Sequence, residues 1–304
     1  MRHSRLYQRL LDGSLRQQRD LATVLLGARG ERVVSRWLDE EVAKVDDPAY
    51  VRLFTDHVDL PGVAPADYAH RLVETSHGAL LGGIRFYGRD VERPFVDVVA
   101  HDFDDLDALR RSVHREWSTF RVAFARLRGR PGAVDGQRVL ADHGVYLARY
   151  CDMPPPDGRV SLAPFATAEA AVDLVRRRYE RVAADAPALG RNLAPADADD
   201  LRQWHAAGRL TSIVVGGDVV GAFAVAPGRI GWIEGEEIQE EVVDAGHAGH
   251  GYAASAQRAW AAGEADRGDR FLVGTVDAQN HASRRTAARA GRSCVLEDVF
   301  LLLP

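Results

Sequence analysis

An acidic run, Glu234, Glu236, Glu237, Glu240 and Glu241, precedes the glycine-spaced segment Ala248-Gly249-His250-Gly251-Tyr252-Ala253 by only a few residues. Each part of this pairing has a chemistry. A carboxylate fixed on a strand can act as a general base toward a nucleophile. Glycines just ahead of a helix let backbone N–H groups approach phosphate oxygens closely, which a Cβ would obstruct and the helix dipole favours. Gly249, Gly251 and Ala253 provide that room. Taken alone, a G-x-G before a helix also describes an ordinary strand-to-helix turn. The acidic run equally describes a solvated face, or one that attracts a cationic substrate. Strand alternation would put Glu237, Gln239 and Glu241 on one face. Farther along, Asn280-His281-Ala282-Ser283 opens a second helical segment. Asn280 reads as its N-cap and Gly291 as the left-handed residue that closes it.

The elements that must position these groups follow from periodicity and breakers. Asp152-Met153-Pro154-Pro155-Pro156-Asp157-Gly158 forbids helix and disfavours a central strand, so it divides the chain into 1–151, a joint at 152–158, and 159–304. After the joint, a short strand (160–165) leads into a helix from Thr167 to Ala184, capped by Thr167 with Glu169 in its first turn. A second helix spans Pro195 to Ala207, and Leu210 to Val225 forms a hairpin around Gly216-Gly217-Asp218. There follow an extended stretch (230–243), a helix (251–262), a strand (271–276), a helix (280–290) and a last strand (295–302). The order is β-α-α-β-β-β-α-β-α-β. In the first half the leading 45 residues read as helices, with strands at 80–87, 95–101 and 123–127 and a helix from Leu106 to Phe120.

Composition narrows the classes. The chain has 304 residues, 46% hydrophobic and 27% charged, enough for one large or two ordinary cores. Its N-terminus lacks the apolar core of a secretory signal and no run approaches a membrane span, so a cytoplasmic protein without a membrane partner is expected. Cys151 and Cys294 have no companion at metal-ligand spacing, and the histidines are scattered, so neither disulfide nor metal is expected. A net charge of −5 does not call for nucleic acid.

The element order, together with EEIQEEVVDAGHAGHGYAASAQRAWA and FLVGTVDAQNHASRRTAARAGR, resembles the GNAT acyltransferase family over the second half of the chain. The family's Q/R-x-x-G-x-G/A loop aligns with Ala248 to Ala253: the glycines match, and Ala248 replaces the leading Arg or Gln. The resemblance implies an α/β fold with a mixed central sheet flanked by helices. It further implies acetyl-CoA or another acyl-CoA as co-substrate, with no metal. The pyrophosphate would lie on the loop formed by Ala248, Gly249, His250, Gly251, Tyr252 and Ala253. The pantetheine arm would run along Val242 and Val243, with Asn280 and Ser283 on the donor side. Counting back from the loop, Glu237 aligns with the family's catalytic Glu or His and is the first choice of base; Glu241 is the second. The family's tyrosine acid falls on Ala287, leaving Tyr252, Ser283 and Thr286 as substitutes. The implied reaction is N-acylation of a primary amine on a small molecule. Two alternatives keep the fold. One is amide formation from aminoacyl-tRNA, favoured by Arg284, Arg285, Arg289 and Arg292 but ranked behind acyl-CoA because of the net charge. The other is acyl-CoA binding without turnover. The first half resembles a degenerate second GNAT-like unit: Ala100-His101-Asp102-Phe103-Asp104-Asp105 stands where a glycine loop would be, so one donor per chain is expected.

Overall fold

The computed structural model describes residues 2–264 and 268–304, so Met1, where the first expected helix begins, lies outside the described residues. Two compact units emerge, residues 1–142 with 296–304, and residues 143–295. The Pro-rich joint therefore lies inside the second unit.

In the first unit four helices, α1 (Arg2–Asp12), α2 (Arg16–Leu26), α3 (Gly30–Ala43) and α4 (Pro48–Thr55), precede the strands β1 (Arg71–Thr75), β2 (Gly78–Phe86) and β3 (Pro94–His101). Helix α5 (Leu106–Glu116) crosses from β3 to the parallel strand β4 (Phe124–Gly129). The expected helix to Phe120 stops at Glu116, because Ser118–Phe120 tightens into a 3-10 turn before Arg121 adopts a left-handed φ of 53°. Leu80, Ile84, Val96, Val98, Leu109, Val113, Trp117 and Leu127 form its core.

The second unit is built on strand β5 (Val139–Arg149), β6 (Ser161–Pro164), helices α6 (Ala168–Asp185), α7 (Pro187–Gly190) and α8 (Ala198–Ala206), then the antiparallel strands β7 (Leu210–Val215), β8 (Asp218–Ile230) and β9 (Ile233–Val243). Helix α9 (Tyr252–Gly263) crosses over to β10 (Phe271–Asp277), parallel to β9, and α10 (His281–Arg289) leads to β11 (Ser293–Leu302). Its sheet runs β6-β7-β8-β9-β10-β5. Thr167 caps α6 by accepting from the Ala170 amide at 3.3 Å.

Two strands change sides. Residues 143–149 of β5, which precede the joint, pair antiparallel with β10 from His143↔Asp277 to Arg149↔Phe271. The C-terminal β11 pairs with β4 in the first unit, from Glu297↔Gly129 to Leu302↔Phe124. A fragment beginning at Asp157 would thus lack the strand that closes one edge of β10.

One irregularity decides the site. The β8/β9 register slips between Ala224 and Val225, whose partners are Glu240 and Ile238, so Gln239 is an extra residue, a β-bulge. Cross-strand partners share a face. Glu241 lies opposite Phe223, whose face packs against Ala254 and Ala256 of α9, whereas Glu237 and Glu240 lie opposite Ala226 and Ala224, on the face that packs against α6 and α8. Simple alternation had put Glu237 and Glu241 together; the inserted residue reverses the parity and separates them.

Candidate active site

A cleft of about 460 Å³ opens in the second unit between α6–α7, the end of β9, the loop before α9, and α10. Its floor follows from strand geometry. β9 and β10 are paired only at Glu236↔Leu272 and Glu237↔Val273, after which their C-terminal ends are no longer laddered together. Val242 and Val243 on β9 line the cleft beyond that point.

At one end stands the glycine loop. Gly249 and Gly251 hold φ of +83° and +81°, a region in which a side chain is strained, and Gly251 is the N-cap of α9. The amides of Gly249 to Ala254 donate to no carbonyl or side chain among the described residues, whereas Ser255 N already reaches Gly251 O. These six N–H groups have the positive end of α9 behind them, and four of their residues, Gly249, Gly251, Tyr252 and Ala253, line the cleft. A Cβ built on Gly249 would meet nothing within 4 Å, and one on Gly251 would stand 3.6 Å from Arg159 Nη1 and 3.8 Å from Arg289 Nη1. Two guanidiniums thus frame open space above free amides. Arg159 also donates to His250 O at 2.8 Å and lies over the Tyr252 ring, which stacks on His250. These residues fit a pyrophosphate on charge, on donors and on room. Arg285 lies on the adjoining wall.

The two carboxylates at the bulge are held in different ways. Glu241 lines the cleft, and both its oxygens accept from Gln257 Nε2 of α9 at 2.9 Å; Gln257 Oε1 in turn accepts from the buried Arg292 at 2.9 Å. Burial pushes the Glu241 carboxyl up to about 7, against the opposing pull of Arg292. Glu240 is buried on the other face, accepting from Tyr179 Oη at 3.1 Å and from the amides of Ala196 and Glu241. Burial raises it as well, and burial followed by Glu240 raises Tyr179 well above its ordinary value.

Of the residues singled out in the sequence, Glu241, Val242, Val243, Ala248, Gly249, Gly251, Tyr252, Ala253, Asn280 and Ser283 line this cleft together. Glu237 does not: it packs over Gly228 on the opposite face, half-buried, with its carboxyl raised by burial. His250 contributes its carbonyl to Arg159 but does not line the cleft. Asn280 caps α10, its Oδ1 accepting from Ser283 N at 3.0 Å. Ala287 is fully buried against Tyr146 and Val276, turned away from the cleft, while Ser283 and Thr286 face it. Sequence reasoning missed Arg178, Tyr179, Leu189 and Leu193 on the cleft wall, and Gln257 behind Glu241.

A β-β-β strand set with a bulged third strand, a helix whose glycine-rich N-terminus is free, and a parallel strand that separates from its neighbour define the GNAT fold. One solved structure shares this fold. The chain is similar to a GCN5-related N-acetyltransferase from Sphaerobacter thermophilus, at 18% identity and a TM-score of 0.52, over 79% of this chain and 82% of that one. That span exceeds either compact unit alone. An acetyltransferase of the GNAT family from Colwellia psychrerythraea is 12% identical with a TM-score of 0.46, over 87% of this chain and 97% of that one. No protein-family model matches the sequence, and no curated protein does.

Proposed function

We propose that this chain is an N-acyltransferase that moves an acyl group, acetyl in the first instance, from acyl-CoA to a primary amine of a small molecule. The observation that carries the reading is one cleft with free helix N-terminal amides and arginines at its mouth and an ionisable carboxylate on its wall. The bound thioester supplies an activated acyl group. The chain's own residues do the rest. The amides of Gly249 to Ala254, with Arg159 and Arg289, bind and orient the phosphates. Val242 and Val243 offer backbone along the separated edge of β9. Glu241 takes the proton from the attacking amine at a carboxylate oxygen, since a group titrating near 7 is half ionised at neutral pH. Tyr252 and Ser283 are hydroxyls on the cleft wall from which a proton can be returned. The apolar wall of Val182, Leu189 and Leu193 suits an acceptor with a hydrocarbon body.

The test is calorimetry with CoA and acetyl-CoA, followed by thiol release from acetyl-CoA over a panel of primary amines. Micromolar CoA binding with amine-dependent thiol release is expected. Absence of binding up to about 1 mM, the upper end of ordinary KM values, would overturn the reading.

A further inference from the structure

Behind the Glu241 carboxylate, two buried polar side chains run inward from the cleft wall. Gln257, on α9, is 0% exposed, and Arg292, just before β11, is 4% exposed. The amide of Gln257 can point in only one sense. Its Nε2 serves both oxygens of Glu241 at 2.9 Å, and its Oε1 accepts from Arg292 Nε at 2.9 Å. Reversed, it would set a carbonyl against a carboxylate and N–H against a guanidinium. Arg292 is tied on its far side to Tyr146 O at 3.4 Å. Gly274 leaves it space, since a Cβ there would come within 3.2 Å of Nη1. An arginine at this depth costs more than an apolar residue of similar size unless its charge is used. Here the row ends on a single group that opens on the cleft.

We propose that Gln257 and Arg292 are positioning residues for Glu241: Gln257 fixes the carboxylate against the cleft wall, and Arg292 supplies through that amide the positive charge a buried carboxylate needs. The proposal rests on the reading of Glu241 as base. The charged and titratable groups around Glu241 are Arg292 and Tyr146 on the inner side, Glu240 on its own strand, and Arg178, Tyr179, Asp185, His247, Tyr252, Arg285 and Arg289 along the cleft. Of these, Arg292 is the cation whose charge acts on Glu241 against burial.

The full-length protein labelled with carboxyl-13C glutamate reports the titration of Glu241 without turnover, its resonance assigned by its loss in Glu241→Gln. A midpoint near pH 7 is expected in the wild type. Arg292→Met and Gln257→Met should each move it up by about one pH unit or more, the effect of removing a nearby opposite charge or hydrogen bonds to the charged form. Arg292→Lys, which keeps the charge, should stay closer to the wild type. CoA affinity should remain within about twofold in all folded variants, and the acid limb of kcat should move with the NMR midpoint. Midpoints unchanged in a folded Gln257→Met or Arg292→Met protein would overturn the proposal. Full kcat in Glu241→Gln across the pH range would instead remove Glu241 from the reaction, while the titration of the wild type and the Met variants still decides whether the row acts on it.

Discussion

Replacing Glu241 by glutamine is expected to stabilise the protein at alkaline pH while abolishing most of its turnover. The folded structure holds this carboxyl at about 7 against an ordinary 4.5, chiefly by burial. Between those values the folded state keeps a proton that the unfolded state has released, so stability falls as pH rises from about 4.5 and levels off above about 7. At about 1.4 kcal/mol per unit, the ionised carboxylate costs at most about 3.5 kcal/mol, and water in the cleft lowers this to between about 1 and 3. Glutamine mimics the protonated acid, since its carbonyl can accept from Gln257, and it carries no such cost. Urea unfolding at pH 5 and pH 9 is the assay. The variant should exceed the wild type by less than about 1 kcal/mol at pH 5 and by about 1 to 3 kcal/mol at pH 9. A variant less stable than the wild type at pH 9, or a difference independent of pH, would refute the reasoning. It would mean that Arg292 outweighs burial and that the carboxylate is a stabilising ion pair.

Gly251→Val forces a β-branched residue to a φ of +81° and fills the space between the free amides and Arg289; CoA affinity by calorimetry should fall at least tenfold, about 1.4 kcal/mol, and an unchanged affinity in a folded protein would exclude the cradle. Glu237→Gln should leave kcat near the wild-type value because the residue lies on the other face, over Gly228, and a large drop with unchanged CoA affinity would return Glu237 to the reaction. Asn280→Ala removes the cap that accepts from Ser283 N and should cost about 1 kcal/mol, a fall of about 2 to 4 °C in Tm by scanning fluorimetry. No change in Tm would leave the cap without energetic weight.

The elements of residues 159–304 were legible because their signals are local: Thr167 and Asn280 are caps, Gly216-Gly217-Asp218 is a turn, and the helices carry apolar residues at helical spacing. Strand β5 was missed although Val145-Tyr146-Leu147 is β-rich, because it precedes the Pro-rich joint and its partner β10 lies beyond it. No local pattern says that a strand will pair across a domain-like break. The expectation that Glu237 and Glu241 share a face was overturned for a related reason. Alternation is a two-residue rule that one inserted residue reverses, and the bulge at Gln239 is set by the register with β8 rather than by any residue type within β9. Gln257 and Arg292 carried no sequence signal, being a single amide on an alanine-rich helix and one arginine among many.

The first unit shows why a second donor site is not expected. Its β3-α5-β4 segment repeats the parallel strand-helix-strand plan of β9-α9-β10, so the N-terminus of α5 is the counterpart of the glycine loop. There Asp105 occupies the helix end, its oxygens accepting from the amides of Asp107 at 2.9 Å and Ala108 at 3.2 Å. Asp102, three residues earlier, accepts from Arg9 and from the Ala79 amide. Two amides at the end of α5 are thus already spent on a carboxylate, and an incoming phosphate would meet like charge. Calorimetry of the intact chain with CoA should give one site per chain. Asp105→Ala should cost about 1 kcal/mol of stability through loss of the cap without adding a site, since Asp102 and Asp104 remain beside the helix end. A stoichiometry of two in the wild type would show that α5 binds the donor despite its carboxylates, and the parallel between the two helix ends would then extend to function.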